Sequence, residues 1–198
     1  NFTTATDAYN VAVGHNAGLA VTTGTQNTLI GSLAGDAITT GIQNVALGMG
    51  AFGAATDADY NVAIGAYALD ADTLGSTTVA VGYGALTTQN FTTATNSFNT
   101  AVGHLAGTAV TTGIENVLIG GLAGDALTDA DYNIAVGKAA LTSDTLGSRS
   151  TAIGHGALST QNFTTATDSY NTAVGYKAGV AVTTGQYNNF FGGLAGDA

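Results

Sequence analysis

A short motif recurs along the whole chain at a nearly constant step, and this repetition constrains the fold more than any other feature. The motif is N-x-A-h-G, where h is Val, Ile or Leu, and the step is 17 residues except for two steps of 21, after Gly82 and Gly154. A unit this short cannot bury a hydrophobic face alone, so each copy must stack on the next. The repeat glycines are Gly14, Gly31, Gly48, Gly65, Gly82, Gly103, Gly120, Gly137, Gly154, Gly175 and Gly192.

Four positions of the unit repeat together. An alanine follows each repeat glycine by three residues, and an asparagine precedes it by four, with Thr78 and Ser150 as the two exceptions. The residue directly before the glycine is aliphatic, or aromatic at Phe191. This alternation has the period of two that is typical of a strand, with turn residues on both sides.

The repeat predicts an all-β fold, a parallel β-solenoid (β-roll) of eleven rungs of about 17 residues. We expect residues 1–198 to form a single repeat domain about 50 Å long, with strands about 4.8 Å apart. Because the chain begins inside a repeat, we expect it to be a fragment of a longer fibre.

Stacking turns each repeated position into a column of similar side chains, and we assign structural roles to three of these columns. Glycine suits a corner with positive φ or a close backbone approach, alanine suits a thin interior, and asparagine can form an amide ladder. Thr78 and Ser150 would keep a hydroxyl in that ladder. The first members of the columns are Gly14, Gly31 and Gly48; Ala17, Ala34 and Ala51; and Asn10, Asn27 and Asn44.

The composition argues against several classes of function. Only three Lys and Arg residues occur and the net charge is -10, so we expect no nucleic-acid partner. The absence of cysteine excludes disulfides and thiol nucleophiles, and no apolar run is long enough to predict membrane insertion. Asp, His and Ser stand in slots that other residues fill on neighbouring rungs, which is unlike a preorganised catalytic site. We therefore predict that the chain is not an enzyme.

The two longer rungs carry insertions, within QNFTTATNS and QNFTTATDS, which recur 72 residues apart. Insertions confined to one edge of a repeat are typically loops on one face. We predict that they are contact loops, with the candidate residues Phe91, Thr92, Thr93, Phe163, Thr164 and Thr165.

Several other patterns favour a structural interpretation over a binding site. We expect the acid pairs to be solvated turn residues, with loop calcium as the alternative, and otherwise no metal or cofactor. Threonine-rich segments at 3–6, 92–95 and 164–167 leave ice binding as an alternative. The aromatic residues before the asparagines are expected to pack, with sugar stacking as the alternative. The acid pairs are Asp57 with Asp59, Asp70 with Asp72 and Asp129 with Asp131, and the aromatic positions are Tyr9, Tyr60, Phe98, Tyr132, Tyr170 and Tyr187.

The units NVAVGHNA, NTAVGHLA, STAIGHGA and NTAVGYKA resemble head repeats of YadA-type trimeric autotransporter adhesins and the N-T-A-V-G-x-x-A repeats of phage tail fibres. The resemblance covers essentially the whole chain, although the 17-residue unit is longer than the adhesin repeat. It implies a homotrimer that is elongated and extracellular, on a cell surface or on a virion. The expected function is the structural shaft or head of a fibre for surface or host attachment, with copies of itself as partners.

Two alternatives to this function remain open. One is an adhesin module that binds a glycan or ice, and a cell-surface glycan or protein receptor is the corresponding partner. The other is a subunit that polymerises into an extracellular filament.

Overall fold

A computed structural model describes residues 6–197 as an all-β chain wound into a parallel solenoid of about eleven turns. Thr3, Thr4 and Ala5 of the first threonine-rich segment lie outside the described residues. The β-solenoid predicted from the repeat is confirmed.

Each turn contributes one short strand to a single parallel sheet, and each of the two longer turns adds further short pairing. The sheet follows the order β1-β2-β3-β4-β6-β8-β9-β10-β12-β14-β15, while β5 pairs with β7 and β11 with β13. The strands are β1 (Val11–Val13), β2 (Thr28–Ile30), β3 (Val45–Leu47), β4 (Val62–Ile64), β5 (Gly75–Ser76), β6 (Val79–Val81), β7 (Thr95–Asn96), β8 (Thr100–Val102), β9 (Val117–Ile119), β10 (Ile134–Val136), β11 (Gly147–Ser148), β12 (Thr151–Ile153), β13 (Thr167–Asp168), β14 (Thr172–Val174) and β15 (Asn189–Phe191).

Equivalent residues of neighbouring rungs lie opposite one another in the sheet. Ala46 of β3, for example, pairs with Ala63 of β4, and the same register holds along all eleven main strands. Backbone hydrogen bonds between rungs continue outside the strands, as from Phe52 N–H to the Ala68 carbonyl at 3.0 Å. The solenoid therefore satisfies its backbone polar groups around much of each turn.

The interior is narrow and consists largely of alanine. The middle residue of each main strand and the alanine column point inward, and Ala34, Ala46 and Ala51 are fully buried. Larger side chains fill the space that glycines leave: a Cβ atom on Gly35 would lie 2.8 Å from Leu29 Cδ2. Large and small residues therefore alternate across rungs to keep the core close-packed.

The repeat glycines form a corner directly after each main strand. Gly103 has a φ of 146°, and a Cβ atom there would lie 2.5 Å from the carbonyl oxygen of Gly120. Positive φ and close backbone approach therefore occur together at this corner, and both require glycine.

The inserted segments of the longer rungs fold back onto the solenoid, which corrects part of the contact-loop prediction. Phe91 and Phe163 are only 6% and 5% exposed, because their side chains anchor the insertions to the rung below. Their rings are therefore unavailable to a partner. The four threonines, Thr92, Thr93, Thr164 and Thr165, are exposed at the tips of these loops.

Candidate functional site

The asparagine column forms a hydrogen-bonded ladder inside the solenoid. Asn116 accepts a hydrogen bond at Oδ1 from Asn133 N–H at 3.0 Å, and its Nδ2 donates to the Ala130 carbonyl at 2.8 Å. Its own N–H donates to Asn99 Oδ1 at 2.9 Å, so each amide links its rung to both neighbours. Because these groups are buried, each needs its partner to offset the cost of desolvation.

Removing one amide from the ladder should be costly. We expect Asn116→Ala to lower the free energy of unfolding by about 2–4 kcal/mol, because it leaves two buried backbone groups without partners. Chemical denaturation measures this difference. Glu115→Gln, at the neighbouring exposed position, is the control and should change stability by less than about 0.5 kcal/mol. Equal effects of the two substitutions would contradict the ladder's role.

Thr78 interrupts the ladder, and a buried group of five polar residues replaces the missing amide. Gln89 Nε2 donates to Asp72 Oδ2 at 2.6 Å and to the Thr78 hydroxyl at 3.1 Å, while Gln89 Oε1 accepts from Asn99 Nδ2 at 2.9 Å. The Thr78 and Ser97 hydroxyl oxygens lie 2.6 Å apart. We call this group the first polar network; its members are Asp72, Thr78, Gln89, Ser97 and Asn99, and all are at most 1% exposed.

The same arrangement recurs 72 residues later as the second polar network. Gln161 Nε2 donates to Asp144 Oδ2 at 2.6 Å and to the Ser150 hydroxyl at 2.8 Å. The second network consists of Asp144, Ser150, Gln161, Ser169 and Asn171, and each network belongs to one of the two longer rungs.

Both networks tie an inserted segment to the rung before it. Asp72 Oδ1 accepts hydrogen bonds from Gly75 N–H at 3.0 Å and from Phe91 N–H at 3.1 Å. Burial raises the pKa of the Asp72 carboxyl above its usual range, and the hydrogen bonds from Gln89 and the backbone oppose that rise. The prediction that Asp72 is a solvated turn acid is therefore wrong. A signal was present in the sequence, since Asp72 and Asp144 are each followed 17 residues later by glutamine.

The outward side of the main sheet is apolar and carries no charge. We call it the sheet face; it consists of the first and third residues of each main-sheet strand. Among them Val13 is 58% exposed, Leu47 42% and Ile119 38%. Its members are Val11, Val13, Thr28, Ile30, Val45, Leu47, Val62, Ile64, Val79, Val81, Thr100, Val102, Val117, Ile119, Ile134, Val136, Thr151, Ile153, Thr172, Val174, Asn189 and Phe191.

Charged residues are distributed unevenly around the solenoid. Lys138, Lys177 and Arg149 all stand within two residues after or five residues before a repeat glycine, on the margins of the sheet face. Glu115 is the only acid in that part of the unit, and the other twelve acids stand elsewhere around the turn. The negative charge therefore lies away from the sheet face.

The aromatic column before the asparagines packs against itself. The rings of Tyr170 and Tyr187 are stacked with centroids 5.3 Å apart, and the Arg149 guanidinium lies 4.5 Å from the Tyr132 ring centroid. Arg149 also forms an ion pair with Asp168 at 3.1 Å. Because neighbouring rungs cover these ring faces, the column offers edges rather than the open faces on which sugars stack.

Histidine and acid side chains do not assemble into a recognisable metal site. Within residues 6–197, no group of three His, Cys, Asp or Glu residues could hold a metal ion. His104 stacks on Tyr83 with ring centroids 5.5 Å apart. Burial and the nearby Asp36 raise the pKa of Asp70, but these two acids have no third ligand. The loop-calcium alternative therefore gains no support from the geometry.

Threonines do recur on most rungs, eight residues after the repeat glycine, which the sequence analysis did not identify. Their hydroxyls are used within the chain: Thr39 Oγ1 donates to the Thr56 carbonyl at 3.1 Å, and Thr128 Oγ1 to the Thr145 carbonyl at 3.0 Å. The next position along is Thr40, Asp57 or Leu74 on successive rungs, so no regular two-column hydroxyl grid forms.

No known protein family, curated protein or solved structure matches this chain. In the part of the chain that the structure describes, no helix is long and apolar enough to cross a membrane.

Proposed function

We propose that the chain is the structural shaft or head of an extracellular or virion fibre, on a cell surface or a phage, and that it assembles with copies of itself through the sheet face. The observation that carries the proposal is an uncharged, largely aliphatic face that runs the full length of an eleven-stranded sheet. The resemblance to trimeric adhesins and tail fibres favours three copies.

The size of the face is consistent with a stable interface. Eleven strands about 4.8 Å apart give a length of roughly 50 Å, and one short strand with its margins is about 15 Å wide. The resulting area of about 750 Å² is close to the roughly 800 Å² that each partner buries in a standard interface. Contiguous apolar surface of this extent typically marks a site of association.

The distribution of charge favours the same arrangement. An assembly with sheet faces inward would place the twelve acids on its outside, where water screens their mutual repulsion. The reverse orientation would bring those carboxylates together in a low-dielectric interface, which is costly. Such a fibre would be stiff and acidic on its outer surface.

Attachment would use the exposed loop tips. Thr92 and Thr93 recur as Thr164 and Thr165 in the equivalent place four rungs later, so a fibre would present matching tips at regular intervals. Multiple weak contacts of this kind gain avidity when a receptor surface engages several at once. A cell-surface glycan or protein is the partner class that this placement suits.

Native mass measurement tests the assembly. We expect a discrete oligomer, a trimer if the resemblance extends to chain number, at micromolar concentration. A mass that rises continuously with concentration would favour the polymerising-filament alternative. A monomer throughout the micromolar range would overturn the proposed assembly.

A further inference from the structure

We infer that the two polar networks act as register locks that prevent the solenoid from looping out a rung. The requirement arises from the repeat itself, because the glycine, alanine and asparagine columns are the same on every rung. If the rung centred on Gly82 were looped out, Asn99 would meet Asn61 and the asparagine ladder would simply continue. These columns therefore do not distinguish the correct neighbour from the next one.

The residue seven positions after the repeat glycine does distinguish them. It is apolar on most rungs, as in Ile38, Val110 and Val182, but it is Asp72 and then Gln89 on two consecutive rungs. With the Gly82 rung looped out, the buried Asp72 carboxylate would face Val110 and would lose its bonds from Gln89 and Phe91 N–H. A buried charge without a partner is strongly unfavourable. The penalty falls only on the incorrect register, much as one buried asparagine fixes register in a coiled coil.

Disulfide trapping detects the looped-out state directly, and the chain contains no cysteine of its own. Val62 pairs with Val79, and Val79 pairs with Thr100. Strands one rung apart, at about 4.8 Å, fall within the Cα separation of roughly 4.4–6.8 Å that a disulfide allows, whereas two rungs do not. A disulfide in V62C/T100C therefore forms only when the rung between them is looped out. V62C/V79C reports the correct register.

We expect V62C/T100C to give no intrachain disulfide in the parent sequence. Adding D72N should raise its yield at least about tenfold, because the new amide places a donor against the Gln89 donor and weakens the lock. Peptide mapping under non-reducing conditions, on the band with the mass of a single chain, separates intrachain from interchain products. V62C/V79C should form its disulfide with and without D72N.

The second network provides a matched control in the same molecule. I134C/T172C spans the rung centred on Gly154, since Ile134 pairs with Thr151 and Thr151 with Thr172. D72N should leave I134C/T172C unlinked, and D144N should link it while leaving V62C/T100C unlinked. An equal rise in both pairs would indicate general destabilisation and would overturn the inference.

A polarity swap keeps the inference testable if D72N alone does not fold. In D72N/Q89E the carboxylate moves to position 89, where it can accept from Asn99 Nδ2, from the Thr78 hydroxyl and from the new amide at position 72. The amide oxygen at position 72 can still accept from Gly75 N–H and Phe91 N–H. We expect the swap to restore folding and to suppress the V62C/T100C disulfide to the parent level. A folded swap variant that forms this disulfide as readily as D72N, or a D72N variant that folds and forms none, would overturn the register lock.

Discussion

Replacing Gly103 with alanine is expected to lower the free energy of unfolding by about 4 kcal/mol or more. Part of the cost comes from its φ of 146°, because placing a non-glycine residue in such a conformation costs on the order of 1–3 kcal/mol. The rest comes from a methyl group 2.5 Å from the Gly120 carbonyl oxygen, which would force two rungs apart. Chemical denaturation followed by circular dichroism measures the loss.

Two other glycines separate these contributions. Gly192 has a φ of 115° but nothing within 4 Å of its would-be Cβ atom, so G192A tests the backbone conformation without the clash. Gly121 has neither a positive φ nor a contact closer than 3.9 Å, so G121A should have little effect. We expect stability to fall in the order G121A, G192A, G103A. If G103A were no worse than G121A, the rungs would not be in close contact at this corner.

The columns that the sequence predicts well are those that every rung requires. Gly103 and Asn116 each stand in a slot where one physical demand, close approach or a buried amide link, is repeated on nearly every turn. A demand repeated at a 17-residue step is visible in a single sequence. The strand order and register follow from it, because equivalent residues can pair only if the rungs stack in parallel.

The features that the sequence does not predict occur once per longer period. Phe91 lies in an insertion beside exposed threonines, and only the backbone bond to Asp72 shows that it folds inward. Asp72 has the sequence surroundings of a turn acid, since Asp70 and Thr73 stand beside it. Its burial depends on a partner, Gln89, in the next rung, and two copies are too few to stand out as a column.

The sheet face reverses the usual relation between residue size and burial. In β3 the small Ala46 is buried, while Leu47 is 42% exposed. The alternation of the motif predicts a strand correctly, but the usual preference of large aliphatic residues for the interior would place the wrong side inward. The reason is geometric: facing strands and turns lie so close together that the interior admits mainly alanine. The displaced aliphatic side chains form the surface on which the proposed assembly depends.

Placing a charge in the middle of that surface is therefore expected to abolish assembly and leave the solenoid folded. Ile119 lies on β9 and is 38% exposed in the single chain, so Ile119→Lys should change the free energy of unfolding of that chain by less than about 1 kcal/mol. In an assembly each copy would bury an unpaired ammonium group, which costs several kcal/mol. We expect the dissociation constant to rise by at least about a hundredfold, which corresponds to about 2.7 kcal/mol.

Ala181→Lys is the matched control, because Ala181 is exposed and lies outside the sheet face. Sedimentation velocity of the parent and both variants, with circular dichroism to verify folding, compares the two positions at equal added charge. Assembly should persist in A181K and fail in I119K. Persistence in I119K would mean that the chains associate through another surface, and the exposed aliphatic columns would then need a different occupant. Loss in both variants would instead point to net charge as the controlling quantity, because adding one lysine makes the chain's charge of -10 less negative wherever it is placed.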